Sequence, residues 1–356
     1  MQLRPIALAV TLALAAAGAQ AAVSGGVVKI GVLTDLSGTY ADLAGSGAVL
    51  ATQMAIDDFG GKVLGRPIEI LQADHQTKPD VGAAIARKWY DVDGVKMITG
   101  IGTSSVALAV RKIAQEKGMI DINTGAASAD LTGPSCSETG AHWVYDTYSL
   151  AKVTGGAVVK DGGDSWYFLT ADYAFGAQLQ NDTTKVVEAA GGKVVGSVKH
   201  PLSATDFSSF LLQAQASKAQ ILGLANAGGD TINSIKAANE FGITKTMKLA
   251  GLLVFINDIH SLGLKTTQGM YLTDSWYWNR DAETRAWSRK FFEKVKRMPS
   301  SIQAGDYSAT MHYLNAVKAT GSDDADKVLA QMKKTKVNDI FAKGGFIRDD
   351  GRMVHD

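Results

Sequence analysis

The 356-residue chain has one cysteine, Cys136, and six prolines. A lone thiol excludes an internal disulfide and a cysteine-rich metal site. So few prolines, with no stretch rich in Pro, Gly or Ser, exclude a flexible tether between folded halves. Charge of either sign is also missing in excess: 36 Lys+Arg face 35 Asp+Glu. Arg4 is the only charge in residues 1–21, and without it the signs balance. Such a chain lacks the clustered positive charge that displaces counterions from nucleic acid or holds a protein on an anionic membrane. Hydrophobic residues make up 46% and charged residues 20%, a globular rather than a disordered composition. At this length two domains are expected.

Motifs for catalysis are absent too. No Gly-Lys-Ser/Thr follows a glycine loop, and no G-x-S-x-G elbow occurs. Gly100-Ile101-Gly102 follows an expected strand, but Ser105 stands where a dinucleotide fingerprint needs its third glycine. The six histidines are scattered and form no H-E-x-x-H pair. Asp91-Val92-Asp93-Gly94 has its glycine in the wrong place for a calcium loop and reads as a helix-ending turn. No metal site and no cofactor are expected. An exported hydrolase using Ser104 or Ser105 would need a base, and no histidine or lysine is placed by sequence to supply it.

What is present begins at the N-terminus. The apolar run Ile6–Ala17 follows Arg4 and is shorter than the roughly 20 residues that span a bilayer. It ends in small residues, and Ala19-Gln20-Ala21 fits a cleavage site. This predicts a secretory signal peptide over residues 1–21. No cysteine follows to carry a lipid, so a free periplasmic protein is expected. Cys136 reads as a small buried hydrophobe.

From Val27 onward, short apolar runs alternate with helical periodicity. Strands are expected at Val27–Leu33, Ile68–Ala73, Lys96–Thr99 and Met119–Asn123, with helices at Ala44–Phe59, Asp80–Asp91 and Ser105–Glu116 between them. The pattern breaks at His142–Tyr148 and restarts. Strands are then expected at Ser165–Thr170, Lys193–Lys199, Gln220–Leu224 and Met247–Gly251, again separated by helices. This is the mark of βαβ units and parallel sheets, built twice. A third set begins near Gly269–Thr273 and holds helices at Ala282–Arg297, Gly305–Thr320 and Asp324–Lys334, with few strands.

Three loops after first-half strands are small and polar: Thr34–Tyr40, Gly100–Ser105 and Asn123–Ser128. Ligands of open α/β sheets bind at such strand ends. Thr103-Ser104-Ser105 also opens a helix, whose free N–H groups and dipole favour an anion. The second half offers Asp172–Gly176, Asn226–Asp230 and Leu252–Phe255, where aromatic and aliphatic residues suit an apolar wall.

Ile30–Leu33 with Leu36-Ser37-Gly38, then Gly100 with Ser104-Ser105, Ala126 with Ser128 and Leu131-Thr132, and Asp172–Gly176 resemble the type I periplasmic binding proteins. The nearest branch is the leucine/isoleucine/valine-binding family of ABC importers. The resemblance spans residues 27–356. It implies an α/β fold of two doubly wound parallel-sheet lobes joined by three crossing segments, near Tyr148, Ser275 and Asn338. Lobe 1 would hold residues 27–147 and 276–337, and lobe 2 residues 148–275 and 338–356. Ala342–Ile347 would begin the last strands of lobe 2, where family members continue past the position of Asp356.

The resemblance also implies the site. Ser104, with Ser105 beside it, and Ala126, Ala127 and Ser128 match the family's carboxylate clamp. Tyr40 matches an aromatic of the first loop; Tyr173 and Phe175 belong to the second-lobe wall. Ala227 or Gly228 is small where the family often has an aromatic. The acid that would hold an amino acid's ammonium is replaced by Leu252 or Leu253. Asp230 or Asp172 could restore it only with a different loop arrangement. The expected ligand is therefore an aromatic or apolar carboxylate, with branched-chain amino acids or short amides as the alternative. The expected partner is an inner-membrane ABC permease, and the protein is expected to be a monomer. A periplasmic ligand sensor is the other reading on this fold.

Overall fold

The computed structural model describes residues 25–355. The expected signal peptide, residues 1–21, lies outside the described residues. The first lobe opens with β1 (Val28–Thr34), α1 (Gly45–Phe59), β2 (Lys62–Val63), β3 (Arg66–Asp74), α2 (Pro79–Lys88), β4 (Val95–Thr99), α3 (Ser104–Lys117), β5 (Ile120–Asn123) and β6 (Gly140–His142). Its sheet runs β2-β3-β1-β4-β5-β6, parallel except for the short β2–β3 pair. The chain then passes through α4 (Thr147–Leu150) and α5 (Gly156–Lys160) into the second lobe. There β7 (Ser165–Ala171), α6 (Ala174–Ala189), β8 (Lys193–His200), α7 (Ser208–Ala216), β9 (Ile221–Ala225), α8 (Gly228–Glu240) and β10 (Lys248–Gly251) form a parallel sheet in the order β10-β9-β7-β8.

Both sheets wind alike: β1 sits between β3 and β4, and β7 between β8 and β9. The strand order reverses at β1/β4 in one lobe and at β7/β9 in the other. Crevices at such reversals are where α/β sheets bind ligands. The central strands are legible as apolar runs because helices cover both of their faces. All five residues of β9 and all four of β5 are buried.

After β10 come two short helices, α9 (Ile256–Leu262) and α10 (Leu264–Thr267). Gly269–Thr273 forms no strand, and the third set of elements is helical: α11 (Ala282–Val295), α12 (Ser301–Thr320) and α13 (Ala325–Lys334). Helix α12 is buried nearly all round and packs between α1 and α13 of the first lobe.

The chain's last part departs from expectation. The strands β11 (Val337–Asn338), β12 (Lys343–Ile347) and β13 (Met353–Val354) form a small antiparallel sheet. It lies on the first lobe, not the second. Asp339 accepts from Ser308 of α12 at 2.6 Å, and the His142 N–H of β6 donates to the Gly351 carbonyl at 2.9 Å. Gly351–Arg352 reaches the first crossing. Arg352 pairs there with Asp146 at 3.1 Å, and Asp146 also caps α4 at the first crossing. The second passage, near Ser275, is fastened by Thr273 to Thr154 at 2.7 Å and by Trp276 to the Ile340 carbonyl at 2.8 Å. Cys136 is exposed in a turn of the first lobe, not buried as its residue type suggests. Among the described residues no helix is long and apolar enough to cross a membrane.

Candidate functional site

The loops that follow β1, β4 and β5 meet those that follow β7, β9 and β10 around a narrow cavity, about 20 Å³ in volume. The first-lobe wall contains Tyr40, Gly102, Ser104, Gly125 and Ala127; the second-lobe wall contains Tyr173, Phe175, Ala227, Leu253 and Phe255. Tyr145 enters from the first crossing, Leu43 and Ala44 from the approach to α1, and Ile302 from α12. None of these side chains carries a charge.

Each loop is shaped by its own residues. The buried Asp35 carboxylate accepts from the N–H groups of Gly38 (2.7 Å) and Tyr40 (2.9 Å), which turns the chain and sends Tyr40 across the cleft. Its hydroxyl meets that of Tyr173 at 2.7 Å. Burial pushes both phenol pKa values above their ordinary range, so the pair is neutral, one hydroxyl donating to the other. Ser104 is the first residue of α3, where N–H groups have no intrahelical acceptor. Its Oγ accepts from the Ser128 N–H at 3.2 Å, which leaves the hydroxyl proton to donate elsewhere.

The lobes touch beside the cavity. The Gly229 N–H, at the start of α8, donates to the Thr39 carbonyl at 3.1 Å. Gly228 has φ +59°, and a Cβ there would stand 2.6 Å from the Thr39 oxygen. The structure is thus a closed form whose close approach depends on a residue without a side chain.

Five expected site residues line the cavity: Tyr40, Ser104, Ala127, Tyr173 and Phe175. Five others do not. Ser105 is one step further along α3 and half-buried. Ala126 lies behind Ala127, and Ser128 supports Ser104 and caps the turn that begins at Ala129. Leu252 is buried in the second lobe, and its neighbour Leu253 faces the cavity instead. Asp230 is buried in α8, with Oδ2 accepting from the Ser203 N–H at 3.0 Å; burial raises its carboxyl pKa. Asp172 is exposed and paired with Lys199. Neither acid lines the cavity. Asp258 lies behind the wall, where it accepts from the Phe255 N–H at 2.9 Å, and burial pushes its carboxyl up to about 7. Among the described residues no group of His, Cys, Asp and Glu is arranged to hold a metal.

The periplasmic binding protein family model matches residues 27–356. A periplasmic binding protein from Burkholderia mallei is 60% identical over 93% of this chain and 88% of its own, with a TM-score of 0.91. A branched-chain amino acid ABC transporter periplasmic ligand-binding protein from Burkholderia xenovorans LB400 is 41% identical over 92% and 88%, with a TM-score of 0.80. Leu/Ile/Val-binding protein homolog 6 of Brucella melitensis is 25% identical over 86% of this chain and 80% of its own. A match over residues 27–356, two lobes of like winding and a closed cleft between them agree: the chain belongs to the periplasmic binding proteins, in the leucine/isoleucine/valine-binding branch that serves ABC transporters.

Proposed function

We propose that this protein captures an aromatic or apolar carboxylic acid, of the size of benzoate or a phenylpropenoate, and delivers it as a single copy to an inner-membrane ABC permease. The observation that carries the reading is an uncharged cavity lined by Ser104 at the start of α3 and by five aromatic rings. Ser104, the start of α3 and the Ala127 N–H would hold the carboxylate. Tyr40, Tyr145, Tyr173, Phe175 and Phe255 would enclose the body. A ligand ammonium would have no counter-charge, which costs several kcal/mol in a dry site. A helix N-terminus, by contrast, receives an anion without a cationic side chain. A solute-binding protein of this fold from R. palustris has been crystallised with benzoate. At 22% identity that likeness extends to the fold alone. The protein itself performs no chemistry in this reading; closure of the lobes excludes water and forms the surface the permease meets.

The lining lacks cations as well as acids, which favours one second reading: a neutral aromatic or short-chain amide. A thermal-shift panel of benzoate, cinnamate, benzamide and leucine separates the two. At 100 times its dissociation constant a ligand stabilises by about 2.7 kcal/mol, a shift of roughly 2–4 °C at this size. A shift with the acids supports the first reading, and a shift with benzamide alone supports the second. A shift with leucine and none with the acids overturns both.

A further inference from the structure

The peptide unit between Ala126 and Ala127 is held by an unusual number of partners. The Ala126 carbonyl accepts from Asn123 Nδ2 at 2.6 Å and from His142 Nε2 at 2.8 Å. The carbonyls on either side have one partner each: Gly125 accepts from the Tyr145 hydroxyl at 3.0 Å, and Ala127 from the Thr147 N–H at 2.7 Å. Neighbouring N–H groups are also occupied. That of Ala126 donates to the Ile101 carbonyl at 2.8 Å, and that of Ser128 to Ser104 Oγ at 3.2 Å. Among residues 126–128 only the Ala127 N–H has no acceptor in the protein, and Ala127 lines the cavity.

His142 is fully buried. A carbonyl only accepts, so Nε2 carries the ring proton and Nδ1 is bare. Nδ1 is buried and has no partner. Burial, reinforced by the nearby Arg352 charge, pushes the imidazole down to about 3, which keeps this neutral tautomer throughout the physiological range. For packing alone an apolar side chain would avoid the unsatisfied nitrogen. The ring's return is its one hydrogen bond. Two donors on a single carbonyl draw electron density toward oxygen and strengthen the N–H of the same peptide as a donor.

We infer that His142, together with Asn123, is a positioning residue for anion recognition: its Nε2–H orients and polarises the Ala126–Ala127 peptide so that the Ala127 N–H is presented to the ligand's carboxylate. His142 ends β6, and Tyr145 and Thr147 lie just beyond it on the segment that leads to the other lobe, so the donor is fixed beside the hinge. The inference rests on the reading of the ligand as a carboxylate.

The test measures two things in the full protein carrying His142→Leu: the Ala127 amide proton shift without ligand, and the dissociation constants of benzoate and benzamide by calorimetry. The expected result is an upfield Ala127 amide, benzoate weakened about tenfold, and benzamide weakened less than benzoate. His142→Gln, which offers a side-chain N–H, should restore part of both signals. Equal weakening of both ligands with an unmoved amide means a merely structural histidine and overturns the inference, as does an unchanged benzoate constant. If the parent protein binds neither probe, the carboxylate reading fails, and the amide shift decides alone: a shift moved by His142→Leu upholds the positioning role, and an unmoved one overturns it. Should His142→Leu not fold, Asn123→Ser removes the companion donor and carries the same readouts.

Discussion

The two lobes share one winding and present opposite chemistry to the cavity. In each, helices begin at the strand-order reversal with their N-termini toward the cleft. In the first lobe, α3 starts with Ser104 and keeps its N–H groups available beside small residues, Gly102, Gly125 and Ala127. In the second, α6 starts behind Tyr173 and fills the crevice with Phe175, while the start of α8 is used against the Thr39 carbonyl of the other lobe. The same topology thus leaves one helix terminus at the cavity lining and uses another for closure. What differs is the residue placed at the terminus, not the fold. Under the proposed carboxylate reading, the first lobe would set the charge of the ligand and the second most of the shape of its body.

Four substitutions break or sharpen this contrast, in descending size of effect. Leu253→Glu places an unpaired carboxylate in the apolar wall. Aromatic-acid binding should fall at least ~100-fold, about 3 kcal/mol, and calorimetry should detect leucine binding that the parent lacks. If benzoate binds the variant as before, the second wall does not touch the ligand. Gly228→Ala adds a Cβ 2.6 Å from the Thr39 oxygen at a left-handed position. It should weaken every ligand about 30-fold, roughly 2 kcal/mol, by opposing closure. Small-angle scattering should show a larger radius of gyration with ligand present than for the parent. Ser104→Ala removes one donor to a charged group and should weaken carboxylates about tenfold, ~1.5 kcal/mol, with a smaller loss for amides. A loss of equal size for both would return the carboxylate to another site. Tyr173→Phe deletes the hydroxyl that meets Tyr40. It should cost about 0.5–1 kcal/mol in ligand affinity, and a double-mutant cycle with Tyr40→Phe should recover most of that as coupling between the lobes.

Much of the scaffold was legible because parallel strands buried on both faces read as unbroken apolar runs. β1, β4, β5, β7, β9 and β10 lie within a residue or two of expectation. The misses were short or distant. β6 has three residues, β2 has two, and α9 and α10 lack the length for a clear period. The C-terminal strands lie on the first lobe through Ser308 and His142, partners far away in the chain that no local pattern announces. The site followed the same rule. Loops at strand ends could be found from their small polar residues, whereas Tyr145, Leu43, Ala44 and Ile302 come from the hinge, the approach to α1 and α12, with no local mark of function. Leu252 and Leu253 show how sharp the limit is. Just beyond β10, adjacent residues face opposite ways, and a shift of one exchanges wall for core.

The turn that carries Cys136 has a practical meaning. It is the chain's single cysteine, it is exposed, and it sits on the first lobe, away from the cavity lining. The lobe therefore carries one ready attachment point for a thiol-reactive dye. A second cysteine at Leu212, which is 59% exposed on α7, would place the other dye on the opposite lobe. The pair would turn opening and closing into a distance read from one molecule at a time, without altering any residue of the cleft.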